Sequence, residues 1–373
     1  MMMKINSNRE NLIRGIQTIQ AGVSAKTGTL PILQNFLMET EDQGLKVVFT
    51  DLEMAIKHHI NVEVKGDGSI TVPIKKFLEI IQNLGPDADV NVNVDDGNKV
   101  SILSGKTRFK ISGAPKADYP VIPDLDESNS FKAPASLIAD MVSRTVFSAS
   151  TEDERHFLNG LLWKYEKGVF SVVATDGRRL AVATSQAVKA KKDFKVIVPS
   201  KILGELVKFI RSADLGDKEE LTVGLSSNQI GFRLAKTVFV SRLIEGNFPA
   251  YEQIIPKTRE TSVEIDTARL LAITKRASLC SNERSGAVKY TFKKGVLVVN
   301  SSSQTMDFED ETDVDYKGKD LQVSFNPKFV MDVLRNIGEA KALMEFNAPS
   351  TPALIKPVKG EDFLYIVMPL RAQ

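Results

Sequence analysis

A chain of 373 residues is longer than one hydrophobic core usually fills and fits about three domains by size. Its 42% hydrophobic and 26% charged residues are those of an ordinary globular protein, and a formal net charge of +2 is low for one that grips nucleic acid by neutralising many phosphates. A single cysteine, Cys280, excludes internal disulfides and cysteine-rich metal sites.

No apolar run reaches the roughly 18 residues of a membrane span, and the N-terminal residues lack the apolar stretch of a signal peptide. A cytoplasmic location is the expectation. The first stretch opens on Lys4–Asn6, then a helix expected over Ser7–Gln20 with Leu12, Ile13, Ile16 and Ile19 inward. Residues 29–39 read as a turn entering a strand and 45–49 as the next strand. The alternation Ile60, Val62, Val64 predicts one half-buried strand. After a second helix, residues 90–94, 99–103 and 107–111 alternate as short strands.

The segment 123–130, rich in Pro, acid and Ser, reads as a linker. Beyond it the order repeats. A helix carries Leu137, Ile138, Met141, Val142 and Val146, strands follow around 157–163 and 169–184, and a second helix precedes strands at 221–225 and 237–243. Thr50-Asp51 recurs as Thr175-Asp176, 125 residues on. Lys189, Lys191 and Lys192 read as a solvated loop. A second linker spans 256–262. The third stretch has a helix around Arg269–Ala277, strands at 288–292 and 296–300, and an acidic run at Asp307, Glu309, Asp310 and Glu311. After a further helix come residues 342–346 and an almost wholly apolar end, 363–370. Such an end is expected to be covered on both faces or to line an apolar groove.

One phrase occurs three times, at 72–84, 198–210 and 325–337. Each copy joins a β-rich run, a Pro, a Lys and apolar residues at i, i+3, i+4 and i+7. The stripes are Phe77, Ile80, Ile81, Leu84; Leu203, Leu206, Val207, Ile210; and Val330, Val333, Leu334, Ile337. The Pro is expected in the first helical turn. Lys75, Lys201 and Lys328 lie 126 and 127 residues apart, which implies triplication of a domain-sized unit. The expected domains are 1–124, 131–256 and 257–373, each two helices packed on antiparallel strands, an α+β class. The six helical stretches sum to about +8 against +2 for the whole chain, so basic helices sit on an acidic body.

Catalytic signatures are missing. There is no phosphate loop, dinucleotide fingerprint or nucleophile elbow. His58 and His59 are adjacent in a strand and so point apart, and His156 lacks a partner at ligand spacing. Asp51 and Asp176 read as turn-capping residues that bond backbone amides. Cys280 reads as packed rather than nucleophilic. No cofactor or metal is expected.

The order of TLPIL (29–33), TDLEM (50–54), FLNG (157–160), ATDGRRLA (174–181), NFPAY (247–251) and YIVMPLR (365–371), set in a triplicated chain, resembles the bacterial replicative sliding clamps. The resemblance covers essentially the whole chain. It implies two chains joined head to tail in a ring of six domains, helices lining the hole and strands outside. The function implied is a non-catalytic processivity factor. It would hold duplex DNA by encirclement without sequence preference and tether the replicative polymerase alpha subunit, the clamp loader and other clamp-motif proteins. Mild positive charge suits that role, because many phosphate contacts would brake sliding and phosphates carry no sequence information. Candidate DNA-facing residues are Lys26, Arg155, Lys201, Lys275 and Arg276.

By the same resemblance a peptide pocket is lined by Leu158, Thr175, Gly177, Arg178, Arg179, Leu180, Pro249 and Ile254. The third stretch adds Asn326, Phe329 and Pro352, and the end adds Ile366, Val367, Met368, Pro369, Leu370 and Arg371. Met and Pro beside Leu and Ile make an adaptable cleft for a peptide with Leu and Phe anchors. Gln253 stands where the family frequently has a basic residue, Phe329 where it has Tyr, and Ala372-Gln373 extend past Arg371. For ring closure, Phe109 and Ile111 would meet Leu279 and Cys280 of the other chain, with Lys106 and Arg108 facing Asp307, Glu309 and Glu311. Three other readings stand beside this one: a monomeric peptide-binding scaffold, an enzyme using Asp51 or Asp176, and a sequence-specific DNA binder.

Overall fold

The structure is a computed structural model, and it describes residues 3–20, 30–41, 44–151, 154–213, 219–281 and 286–370. The first repeat runs β1 (Lys4–Asn8), α1 (Arg9–Gln20), β2 (Asn35–Glu41), β3 (Gly44–Thr50) and β4 (Met54–Ile60). It continues with β5 (Glu63–Gly66), β6 (Ser69–Pro73), α2 (Ile74–Gln82), β7 (Asp89–Val94), β8 (Lys99–Ser104) and β9 (Thr107–Ser112). The second has β10 (Ser130–Pro134), α3 (Ala135–Ser143), β11 (Gly160–Glu166), β12 (Val169–Thr175) and β13 (Arg179–Ser185). Then come β14 (Phe194–Pro199), α4 (Ser200–Ser212), β15 (Glu220–Leu225), β16 (Gln229–Leu234) and β17 (Thr237–Arg242). The third has β18 (Thr261–Asp266), α5 (Thr267–Ser278), β19 (Val288–Lys293), β20 (Val296–Ser302) and β21 (Asp307–Asp313). It closes with β22 (Leu321–Phe325), α6 (Pro327–Asn336), β23 (Lys341–Phe346), β24 (Ala353–Pro357) and β25 (Phe363–Val367).

Every strand pairing among the described residues is antiparallel, so the class is α+β as expected. Two compact units result, Met1–Ser136 with Lys201–Leu243 and Leu137–Ser200 with Ile244–Gln373. In the first unit an eight-stranded sheet runs β10-β15-β16-β17-β4-β3-β2-β6. Its middle is the join of β17 to β4, where Phe239 faces Ile56 and Thr237 faces His58. In the second unit an eight-stranded sheet runs β14-β11-β12-β13-β25-β24-β23-β18, joined where β13 meets β25, with Ala181 opposite Tyr365. Each large sheet thus takes four strands from one repeat and four from the next. The smaller sheets, β5-β1-β7-β8-β9 and β21-β20-β19-β22, end on β9 and β21, each paired on one side only.

Helices bury one face on these sheets, and burial of apolar surface is what stabilises them. In α6 the expected stripe Val330, Val333, Leu334 and Ile337 is buried throughout. In α2 the buried face is Ile74, Phe77, Leu78 and Ile81, the expected stripe moved three residues toward the helix start, and Ile80 and Leu84 are only half-buried. The reason is phase: Leu78, not Ile80, completes the 3.6-residue stripe once the helix starts at Ile74. The prolines also differ from expectation. Pro327 is the first residue of α6, but Pro73 and Pro199 end the preceding strands β6 and β14. At a strand end φ near −65° and the missing N–H are tolerated equally well. The alternation at 60–64 is not one strand either. Ile60 ends β4 and Glu63 begins β5, with the chain leaving the ladder at Asn61 and Val62.

Candidate functional site

The same turn is built twice. After β3, Asp51 Oδ1 accepts from the amides of Glu53 and Met54 at 3.1 and 2.9 Å, and Thr50 Oγ1 donates to Met54 O at 2.8 Å. After β12, Asp176 Oδ1 accepts from Arg178 and Arg179 at 2.9 and 3.0 Å, and Thr175 Oγ1 donates to Arg179 O at 2.6 Å. Both aspartates therefore do the capping work expected of them. The residue after each has a left-handed backbone, φ +83° at Gly177 and +77° at Leu52. Glycine holds that conformation without strain, while leucine pays a steric penalty there.

The second turn leads into Arg179. Arg179 leaves it buried, with Nε on Asp176 Oδ2 at 3.0 Å and Nη1 on Asp332 Oδ2 at 2.6 Å. Its guanidinium also lies 4.6 Å from the ring centre of Phe329 and 5.4 Å from that of Phe147. Strand β25 enters alongside, pairing Leu180 with Ile366 and Arg179 with Val367. Beyond it Met368 N donates to Arg178 O at 3.0 Å and Leu370 N to Ser324 O at 2.8 Å, so residues 368–370 are held as a strap. Ile366, Leu180 and Leu354 belong to one buried cluster with Phe248 and Tyr251 from the segment after Asn247. Above that floor Met368 stays 38% and Ile254 41% exposed. Both are large apolar side chains left in water.

The predicted pocket residues divide accordingly. Leu158, Thr175, Arg179, Leu180, Ile366 and Val367 are buried, and Pro249, Asn326, Phe329, Pro352, Pro369 and Leu370 are partly buried. Gly177 and Arg178 are exposed, and Arg371 lies outside the described residues. Asn326 accepts from Lys328 N at 2.9 Å and so caps α6 as well. Sequence reasoning missed Asp332, Phe147, Phe248 and Tyr251. NFPAY was a legible marker of the last two. The Arg179–Asp332 pair spans 153 residues and left no local signal.

Two of the sheet edges, β9 and β21, differ sharply in charge. Strand β9 carries Arg108 and Lys110, with Lys106 just before it, and Phe109 is 38% exposed on it. Strand β21 carries Asp307, Glu309, Asp310, Glu311 and Asp313. Leu279 is 73% exposed and Cys280 partly buried just beyond the end of α5, and Ile111 is partly buried on β9.

Family models of the DNA polymerase III beta subunit match in chain order: the N-terminal domain over residues 3–123, the central domain over 132–250 and the C-terminal domain over 252–371. The chain is 31% identical over 371 residues to the beta sliding clamp of Haemophilus influenzae and 30% to that of Escherichia coli K12, covering 99% of this chain and 100% of each relative.

The chain belongs to the DNA polymerase III beta subunit family, the sliding clamps.

Among solved structures, the sliding clamp from Bartonella birtlesii bound to griselimycin is similar with a TM-score of 0.94 at 28% identity. The clamp from Bacillus subtilis gives 0.94 at 27%, and in both comparisons each chain is covered in full. The tandem arrangement of three homologous clamp-fold domains expected from the sequence is therefore this protein's architecture.

Among the cations proposed to face DNA in this sliding clamp chain, Lys201 and Arg276 form ion pairs with aspartates. Lys201 is paired with the nearly buried carboxylate of Asp51, and Arg276 with Asp310, to which its Nε donates at 3.1 Å. Arg155 and Lys275 are exposed, and Lys26 lies outside the described residues. Among the described residues no group of three His, Cys, Asp or Glu side chains is placed to hold a metal, and no helix is long and apolar enough to cross a membrane.

His58 and His59 diverge as adjacent strand residues must: Nδ1 of His58 meets Thr237 Oγ1 at 2.9 Å and Nε2 of His59 meets Glu41 O at 3.3 Å. Burial, with the charges of His59 and Lys236 adding to it, lowers the His58 pKa from 6.5 to about 4. The unfolded chain takes up this proton first. The stabilisation from a neutral His58 is therefore complete above about pH 6.5 and lost as pH falls through about 4. In denaturant titrations, the stability difference between the native chain and His58→Gln is expected to shrink by about 2 kcal/mol from pH 7 to 4.5. A pH-independent difference refutes this.

Proposed function

We propose that this chain is the processivity factor of a replicative DNA polymerase. It acts as a homodimeric ring that encircles duplex DNA, slides without sequence preference and carries partner proteins on the cleft around Met368. Internal repetition carries the reading. The first repeat meets the second through β4 and β17, and the second meets the third through β13 and β25. By the same repeat correspondence β9 is the counterpart of β17 and β25, and β21 is the counterpart of β4 and β13. They are the two edges left over. One is basic and the other acidic, and a second copy offers each the partner it lacks. Two chains joined β9 to β21 at both ends give six repeats with no free edge at any junction. Phe109 and Ile111 then pack against Leu279 and Cys280, with Lys106 and Arg108 opposite Asp307, Glu309 and Glu311.

Domains 1–124, 131–256 and 257–373 are the repeating units of this ring. Their helices supply a mildly basic lining, with Arg155, Lys201, Lys275 and Arg276 as candidate contacts and Lys26 a further candidate from the sequence alone. Pairing of Lys201 and Arg276 with aspartates keeps that lining weak, which suits a protein that must not stop at a phosphate. Partners are the polymerase alpha subunit, the clamp loader and other proteins with a clamp-binding motif, engaged in the cytoplasm through short peptides with Leu and Phe anchors. No catalysis or cofactor is assigned.

The test is topological. Loaded onto nicked circular DNA by a clamp loader, the protein is expected to co-elute with the circle in 0.5 M-class salt and to be released when a restriction enzyme linearises it, on the order of complete loss. Equal retention on linear and circular DNA sinks the encirclement reading.

A further inference from the structure

In the first unit a cavity of about 720 Å³ opens between two helix faces. Helix α1 presents Arg14, Gly15 and Thr18 to it, and α4 presents Glu205, Lys208 and Phe209. Both sets follow helical spacing, so each is one continuous face. The end of β4, His58 to Asn61, contributes more of the lining, together with Lys236. Gly15 is what lets α1 sit on that strand: a Cβ there would fall 2.3 Å from Ile60 Cδ1. The corresponding helix pair of the next two repeats, α3 and α6, is bridged instead. Arg144 at the end of α3 donates Nη1 to Ile337 O at 3.0 Å and lies 4.3 Å from the ring centre of Phe363.

The cavity has the size of small-ligand sites, roughly 300–1,000 Å³. Its walls combine cations with an apolar surface. Arg14 is exposed and its only ion pair among the described residues is a loose one with Glu10 at 4.0 Å. Lys208 Nζ donates to Glu205 Oε1 at 2.9 Å, while Glu205 Oε2 is enclosed with no hydrogen-bond partner among the described residues. Phe209 and Ile60 are the apolar counterparts.

We propose that this cavity binds a nucleoside phosphate, free or as one unit of a nucleic-acid strand, with its phosphate on Arg14, Lys208 and Lys236 and its base against Phe209 and Ile60. Phosphate recognition by Lys and Arg and base stacking on an aromatic ring are sufficient chemistry for such a site. The proposal stands apart from ring closure, since a chain that failed the circular-DNA assay could still bind a nucleotide.

His58 reports on it. Thr237 Oγ1 bonds its ring, the charges of His59 and Lys236 act on it, and Arg14 on α1 and Lys208 and Glu205 on α4 share the cavity lining with it. An anion among these groups raises its pKa from about 4. The experiment titrates the full chain with deoxyadenosine monophosphate, with inorganic phosphate and with a short single-stranded oligonucleotide, following the His58 imidazole resonances and pKa by NMR. The expected result is a saturable shift and a raised pKa with the nucleotide, the oligonucleotide or both, the pair of arms telling free from strand-borne ligand. Affinity should fall at least about tenfold in the Arg14→Ala/Lys208→Gln double variant, where both side chains are exposed and the amide keeps a donor for Glu205. Phe209→Leu should cost the nucleotide its advantage over phosphate. Three results overturn the proposal: no saturable shift by ~10 mM ligand, an unchanged affinity in the double variant, or phosphate binding as tightly as nucleotide, which means an adventitious ion only.

Discussion

Replacing Phe109 by glutamate is expected to turn a dimer into a monomer at micromolar concentration in sedimentation velocity. Phe109 is an exposed apolar side chain on the outermost strand of its sheet, with Arg108 and Lys110 as neighbours. In the proposed dimer it leaves water at the centre of the new strand pair, where anchors of this kind contribute most. A glutamate there forfeits that burial and sets a carboxylate beside the partner's acidic β21, where like charges are desolvated together. A cost of about 4 kcal/mol or more per interface follows, on the order of a thousandfold in dissociation constant. Phe109→Leu keeps the apolar contact and should remain a dimer. Exchanging charges across the interface, Arg108→Glu with Glu309→Lys, should restore part of the affinity that either change alone removes. A Phe109→Glu chain that still sediments as a dimer defeats the proposed closure.

Arg179→Ala is expected to damage stability and partner binding together. The arginine is buried between two carboxylates, Asp176 and Asp332, and two rings, Phe329 and Phe147. Among the described residues, Asp332 then keeps a longer ion pair with Arg335, at 3.4 Å. Removing one member of such a network leaves charge in a site where water cannot replace the lost partner, at a cost of about 3 kcal/mol. Asp176 also caps the turn that precedes β13, and β13 is what aligns β25 and the Met368 strap. Melting temperature should drop by several degrees, and a clamp-motif peptide should bind on the order of a hundredfold more weakly. Arg179→Lys should recover little, because one ammonium cannot serve two carboxylates and a pair of rings at once. Met368→Ala separates the two effects: it lies on the surface, so it should weaken the peptide by about tenfold with little change in melting. A melting temperature unmoved by Arg179→Ala excludes the network as a stabilising element.

The first stretch shows where local reading stops. Its second helix was legible as a stripe, yet which apolar residues are buried depended on where the helix starts, and the sheet decided that. Ile60, Val62 and Val64 alternate perfectly and still do not form one strand, because the ladder partners of β4 and β5 differ. At the cleft, Met368, Pro369 and Leu370 were visible as an apolar end and by resemblance as a site. Asp332 and Phe147 were not, since nothing in their neighbourhood announces a partner 153 residues away.

The amino-acid sequence alone determined the triplication, the helix-and-strand content of each repeat, the turn roles of Asp51 and Asp176, and the family. These are local and periodic properties, set by side-chain spacing, backbone preference and order along the chain. Only the tertiary structure decided which strands pair between repeats, which edges stay open, how Arg179 is held and that a cavity lies between α1 and α4. Those depend on contacts between residues far apart in the chain, whose geometry no stretch of a dozen residues encodes.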